Sequence, residues 1–268
     1  MKATVIITTY NSPEWLEKVL WGYENQIDTD FEIVIADDGS GEETQKLLKT
    51  FKTNSSLNIK HVWHEDDGFQ KTKILNKAIE GSHSDYLIFT DGDCIPRKDF
   101  VDSHVKLSEK GKFLSGGYCK LPMKTSLTIS KENVENQDCF DVKWLNNIEK
   151  LSFSNALKLG SSISKGNILD SITPTKATFN GCNSSVFKSD AIAINGFDER
   201  MKYGGLDREF GERLMNYGIS GKQIRHKAIV VHLDHPRGYK TKESLKNNYD
   251  IRKEVKRKKI KRTPFGIE

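Results

Sequence analysis

Runs of β-branched and apolar residues alternate with helix-period stretches through the first hundred positions. "TVIITT" leads into an amphipathic pattern over Pro13 to Asn25, "FEIVIA" into one over Glu42 to Phe51, and "IKHVWH" into one over Lys71 to Glu80, before "DYLIFT" closes the series. Strands that are apolar on both faces, each followed by a helix, predict a parallel sheet covered by helices. Their carboxyl ends read "TTYN", "ADDGS", "WHEDDG" and "TDGDC". Ligands of such sheets gather at those ends, so the pattern places a polar, largely acidic site on one rim. From Leu121 to Thr175 the periodicity weakens, and Ser, Asn and Lys dominate around Phe140, Trp144 and Phe153, which either stack on a ligand or fill a satellite core.

Composition sets the scale. A chain of 268 residues that is 36% hydrophobic can bury one sizeable core or two tightly joined lobes. Met1 and Lys2 pass directly into "ATVIITTY", and no stretch approaches the ~18 apolar residues of a membrane span, so a cytoplasmic protein is expected. Cys94, Cys119, Cys139 and Cys182 are widely spaced without a C-x-x-C pair, which predicts reduced and mostly buried thiols rather than a zinc knuckle or disulfide framework. The net charge of +5 is concentrated between Lys240 and Arg262. That segment reads as a solvated helix face, or as a surface that attracts anionic lipid or an anionic substrate. Nucleic acid is not expected, since no aromatic-interleaved or recognition-helix motif accompanies the charge.

The acidic rim restricts the chemistry further. Neither G-x-G-x-x-G nor G-x-x-x-x-G-K-[ST] follows the first strand. Carboxylates repel a bare diphosphate, so a nucleotide can bind there only with a divalent cation held between carboxylates and phosphate oxygens. Asp91 and Asp93 of "FTDGDCIP", separated by Gly92, can share one cation directly or through water. Alone, such a pair is an ordinary solvated turn. In series with three other polar strand ends it reads as a site.

The motifs "VIITTYN", "IADDGS", "DDGFQKTKILNKAI", "LIFTDGDCIP", "FNGCNSSVFKSDAIAINGFDERM", "YGGLDREFGERL" and "VVHLDHP", in this order, resemble the family 2 glycosyltransferases of the GT-A fold. The second half is similar to the β-galactosyltransferase and chondroitin-polymerase type. The resemblance implies an α/β fold with a Rossmann-like nucleotide-binding half abutting an acceptor-binding half on a mixed, mostly parallel central sheet. It implies inverting transfer from a UDP-sugar to a saccharide or lipid-linked saccharide, assisted by Mn²⁺ or Mg²⁺, in bacterial surface polysaccharide synthesis. Residues 1–120 are expected to form the nucleotide-sugar half, 121–239 the acceptor-binding and catalytic half, and 240–268 a basic helix and closing segment, all within one continuous domain.

Carried onto this sequence, the resemblance sets Thr8 and Tyr10 beside uracil and ribose, with Asp37 and Asp38 accepting from base or ribose. One of those two aspartates could instead cap the helix beginning near Glu42. Gly68, Lys73, Asn76, Asp91 and Gly92 complete the expected donor site. Family members often carry Arg where Leu75 stands, so Lys71 or Lys73 would supply the phosphate-facing charge. Asp93 is the expected direct metal ligand, His235 the first imidazole ligand and His232 a second, and mixed oxygen and imidazole ligation favours Mn²⁺ over Mg²⁺. Asp207 is the expected general base, although by itself it could be a helix-starting acid. Leu206 stands where similar enzymes often have an acid. Asn183 and Gly205 are expected at the acceptor, and 121–175 forms its variable wall. The competing reading is a non-catalytic protein on the same fold that grips a sugar nucleotide or an anionic surface.

Overall fold

The structure is a computed structural model and describes residues 2–160, 170, 175–236 and 240–268. The expected alternation is present: β1 (Ala3–Thr9), α1 (Pro13–Glu24), β2 (Phe31–Asp37), α2 (Glu42–Asn54), β3 (Ile59–Trp63), α3 (Lys71–Gly81) and β4 (Tyr86–Asp91). After β4 the chain forms β5 (Cys94–Pro96), α4 (Phe100–Leu107), β6 (Lys112–Ser115) and β7 (Gly117–Lys120). Short helices follow, α5 (Met123–Thr128), α6 (Lys131–Glu135), α7 (Val142–Ile148) and α8 (Phe153–Leu159). The last part comprises β8 (Ser184–Phe187), α9 (Lys188–Ala193), α10 (Leu206–Tyr217), β9 (Ser220–Gln223), β10 (Ile229–His232) and α11 (Lys242–Lys258).

Among the described residues the central sheet has seven strands in the order β3-β2-β1-β4-β8-β6-β9. Its first four strands are parallel, and β8 runs antiparallel to both β4 and β6, giving the mixed but mostly parallel sheet expected. The two-residue period of each strand splits its side chains between two cores. Val5, Ile7, Ile33, Ile35 and Ile88 face one core with α1 and α2. Ile6, Val34, Ala36, Leu87 and Phe89 face the other, with α3, α10 and α11. Phe89 there meets Phe179, Phe197 and Phe210 edge-on or tilted, at 5.6 to 6.2 Å between ring centres. Burying one such ring is worth ~1.5–3 kcal/mol, so this cluster ties the parallel half to the helices of the second half.

A second sheet, β5-β10-β7, folds over the end of β4. Antiparallel pairing of β10 with β5 sets His232 opposite Cys94, and Leu233 N–H donates to Asp93 C=O at 2.8 Å. That pairing carries the "HLDHP" segment onto the "DGDC" turn. The basic segment is a packed helix. Ser244, Asn248, Ile251 and Val255 of α11 are buried, while Arg252 and Lys256 reach Glu212 of α10. No helix among the described residues is long and apolar enough to cross a membrane.

Candidate active site

The rim encloses one cavity of about 840 Å³, bordered by the ends of β1, β2 and β4, the start of α3, the Asn180–Cys182 turn, the start of α10 and the segment after β10. Thr8 lies between Ala36 and Asp91 in the sheet register. Its Oγ1 donates to Asp91 Oδ1 at 2.7 Å, and Gly92 N–H donates to Thr8 C=O at 2.7 Å. A Cβ on Gly92 would come within 3.0 Å of that carbonyl, so the small residue between the carboxylates lets the turn close on β1. Tyr10 borders the cavity with its ring 46% exposed and its hydroxyl donating to Asp66 at 2.8 Å.

Period two separates Asp37 from Asp38. Asp38 faces the cavity, its Oδ1 2.8 Å from His64 Nε2 and its Oδ2 accepting Gln70 N–H at 3.0 Å. Burial raises its pKa against the opposing pull of His64 and the Gln70 amide. Asp37 is fully buried, held by His61 Nε2 and Ser40 N–H at 2.8 Å each. The expectation that Asp37 touches the nucleotide is therefore corrected: it braces the turn into α2. Neither histidine anchor was marked by any motif.

Helix phase corrects two further residues. Lys73 is exposed on the outer side of α3, outside the cavity, because two positions from Lys71 amount to roughly 200° around the helix. Lys71, on the first turn, lies in the cavity with Nζ 2.6 Å from Asp91 Oδ1. Burial pulls its pKa down, but Asp91, Asp207 and Asp93 outweigh this and raise it, so it is firmly cationic. Leu75 is core. Asn76 is 2% exposed and spans Phe197, through C=O and N–H, and Glu199, which makes it a clamp between α3 and the 195–199 turn instead of a donor contact. Gly68 lines the cavity with φ +73°.

Asp93 lies with both histidines. His235 Nε2 is 2.9 Å from Asp93 Oδ2, and His232 Nε2 is 3.8 Å from Oδ1, with the two rings stacked 5.6 Å apart. Hydrogen bonding to His235 and the charges of both rings lower the Asp93 pKa to about 2, against the opposing effect of burial. Each Nδ1 faces a carbonyl, Leu233 at 2.7 Å and Pro236 at 2.9 Å. A carbonyl only accepts, so Nδ1 carries the proton, and in its neutral form such a ring would turn an Nε2 lone pair toward the carboxylate. Opposed acceptors of this kind need a cation between them, either an imidazolium proton or a metal ion. The donor set fits a divalent metal. Cys94 Sγ lies in the same cluster, and burial pushes its thiol well above the usual range.

Across the cavity, Gly204 and Gly205 adopt φ +106° and +82°, and Asn248 of α11 donates to the Lys202 and Gly204 carbonyls, fixing the loop that starts α10. Asp207 follows within the first turn of α10. Its Oδ1 is shielded from water with no hydrogen-bond partner. Burial raises its pKa, and Asp91 adds to the rise while Lys71 and the Gly181 N–H oppose it. Glu209 and Asp198, the next acids in reach by sequence, are consumed by Arg213 and Arg200. Gly205 lines the cavity. Asn183 does not: it is fully buried and bonded to His104 Nε2 and to the Gly117 and Ala228 carbonyls, where it joins β7 to β10. Gly181 is one of the cavity residues that sequence reasoning overlooked, and a Cβ there would stand 2.5 Å from Asp207 Oδ1. Of the variable wall, residues 161–169 and 171–174 lie outside the described residues.

A parallel half-sheet whose strand ends carry Asp38, Asp91 and Asp93, facing a helix-borne carboxylate, defines a GT-A glycosyltransferase. Residues 4–120 match the sequence model of glycosyl transferase family 2, and residues 172–236 match the model described as the N-terminal domain of galactosyltransferase. Among relatives, the chain is 29% identical to the uncharacterized glycosyltransferase YfnE of Bacillus subtilis, over 92% of this chain and 69% of that protein. It is 25% identical to the hyaluronan synthase of Pasteurella multocida, over 96% of this chain but only 27% of the synthase. Staphylococcus aureus TarS 1-349 in complex with UDP-GlcNAc superposes with a TM-score of 0.63 at 16% identity, covering 94% of this chain and 64% of that one. The mannosyltransferase PcManGT of Pyrobaculum calidifontis, in complex with GDP-Man and Mn²⁺, superposes at 0.59 and 19% identity, covering 89% and 58%.

Proposed function

We propose that the protein transfers a sugar, with inversion, from a UDP-sugar to a hydroxyl of a saccharide or lipid-linked saccharide, with Asp207 as general base. The observation that carries this reading is one cavity that sets Asp93 against His232 and His235 on one side and the Asp207 carboxylate, its Oδ1 buried without a hydrogen-bond partner, on the other. Environments that separate two carboxyls divide their roles, and a raised carboxylate is the better proton acceptor. Asp38 and Thr8 are proposed to meet base and ribose, and Tyr10 offers a ring face for stacking. Asp91, tied to Lys71, fixes the floor beneath the diphosphate. Asp93, His235 and His232 are proposed to hold Mn²⁺ or Mg²⁺, which when bound would neutralise charge on the departing diphosphate. Asp207 takes the proton from the acceptor hydroxyl as that oxygen bonds to the anomeric carbon and the bond to the diphosphate breaks, giving glycoside and UDP.

The TarS complex and the hyaluronan synthase support a UDP-sugar donor and a role in building a surface polysaccharide. The exposed face of α11, with Lys242, Leu245, Lys246, Tyr249, Lys253 and Arg257, supports peripheral contact with an anionic membrane that presents the acceptor. The test is to incubate the protein with a panel of UDP-sugars, Mn²⁺ and saccharide acceptors and to measure released UDP. Turnover with at least one donor is expected. Tight nucleotide binding with no turnover for any of them would instead favour the non-catalytic reading.

A further inference from the structure

Beside the active-site cavity lies a smaller one of about 160 Å³. The two share Tyr118 and Asn180 in their walls, so they lie side by side. Its charged lining is Lys158, Lys176, Arg208 and Arg225, with no carboxylate among the described residues that border it. The main cavity is the reverse, with Asp38, Asp91, Asp93 and Asp207 in its wall. Such segregation puts four cations in one wall, with Arg208 also acting on the Asp207 carboxylate. Burial, followed by the charge of Arg225, lowers the Lys158 pKa, as expected where cations crowd one another. Lys158 Nζ is held by the Tyr118 carbonyl at 3.1 Å and by Asn155 Oδ1 at 3.2 Å, which fixes one positive charge in the wall. Among the described residues, no carboxylate pairs with Lys176, Arg208 or Arg225.

The position of this annex relative to the proposed base decides what it could serve. Arg208 follows Asp207 directly, and Asn180 precedes Gly181, the residue against which the Asp207 carboxylate rests. A hydroxyl delivered to Asp207 therefore leaves the adjoining part of the acceptor at the annex mouth. The geometry points to an acceptor that carries an anionic group, a carboxylate or a phosphate ester on the accepting sugar or its neighbour, bound by Arg225, Arg208, Lys176 and Lys158. This rests on the transferase reading above and names the chemistry of its acceptor. Guanidinium groups bind either anion through paired N–H donors, and a crowded cationic pocket is stabilised when one enters.

The test is calorimetric, with full-length protein in UDP, Mn²⁺ and about 150 mM salt, which screens the long-range field. Three short saccharides alike except at one end are compared: ending in glucuronate, in a glucose phosphomonoester, and in neutral glucose. At least one anionic ligand is expected to bind about ten- to a hundredfold more tightly than the neutral one, the range for one or two hydrogen bonds to a charged group. The tighter of the two identifies carboxylate or phosphate as the recognised group. In the Arg225→Gln/Lys176→Gln double variant the preference should collapse towards parity. Equal binding of all three by the wild-type protein, or an undiminished preference in the double variant, would overturn the assignment. UDP release from a UDP-sugar by the wild-type protein reports separately on the transferase reading, so turnover without anion preference faults the annex alone.

Discussion

Gly181→Ala isolates the position of the proposed base from its chemistry. A Cβ at residue 181 would stand 2.5 Å from Asp207 Oδ1, 2.8 Å from Cγ and 3.0 Å from Oδ2. Ordinary carbon contact begins near ~3.4 Å, so the carboxylate must retreat by about 0.9 Å, or the turn must move by as much. Gly181 does not adopt a positive φ, so alanine introduces no backbone strain of the left-handed kind. A misplacement of about 1 Å in a reacting group costs roughly a hundredfold in rate. The expected result is a fall in kcat of about that size, with UDP affinity unchanged within about twofold, because the proposed donor side of the site, Thr8, Asp38 and Asp93, lies across the cavity. Single-turnover transfer and equilibrium UDP binding on the same preparation measure both quantities, and thermal melting verifies folding. A kcat within twofold of wild type would refute the argument that Asp207 must sit where it does.

Three other outcomes follow from the same geometry. Asp93→Ala, or chelation of the wild-type protein, should abolish transfer and weaken UDP binding; calorimetry showing full UDP affinity after either treatment would remove Asp93 from the metal site. Lys71→Met leaves Asp91 without its 2.6 Å partner and removes the larger of the charges that oppose the rise at Asp207. Melting should record a loss of ~1–3 kcal/mol, below the 3–5 of a fully buried pair because both side chains keep about a fifth of their exposure. In the same variant the acid limb of the kcat/KM profile should move to higher pH; an unmoved limb would contradict the coupling of Lys71 to Asp207. Sedimentation with vesicles should show binding that rises with anionic lipid and falls with salt, at about 1 kcal/mol per basic residue near the surface, and salt-independent behaviour would dismiss the α11 face.

Much of the site was legible because parallel strands export their ends to one rim. Thr8, Tyr10, Asp38, Asp91 and Asp93 all border the cavity, and their positions follow from strand period and order alone. His232 and His235 came from the resemblance, and the pairing of β10 with β5 is the physical reason they arrive. What failed to show depends on phase and on partners distant in sequence. Asp37 and Asp38 look alike in "ADDGS" but point to opposite faces, and only the tertiary position of His61 shows which is spent on structure. Lys71 and Lys73 differ by helix phase. Asn76 and Asn183 are polar residues in polar motifs, yet each is buried among carbonyls that no local pattern predicts. The basic segment was expected as a closing helix of the same domain, but no local pattern showed that its Asn248 holds the glycine loop ahead of Asp207.

The central claim is that Asp207 accepts the proton while Asp93 serves the donor side. Asp207→Asn tests it most directly, since it keeps the shape and the helix start but removes the proton acceptor. Because burial raises the folded pKa of Asp207, its ionised form costs stability above that pKa, and the cost vanishes below the unfolded value near 3.8. The asparagine variant should therefore melt no lower than wild type at neutral pH, which rules out unfolding as the cause of any loss. The account predicts a fall in kcat of about 10²- to 10⁴-fold with UDP binding intact. Near-wild-type turnover, or UDP binding lost in parallel with activity, would contradict it.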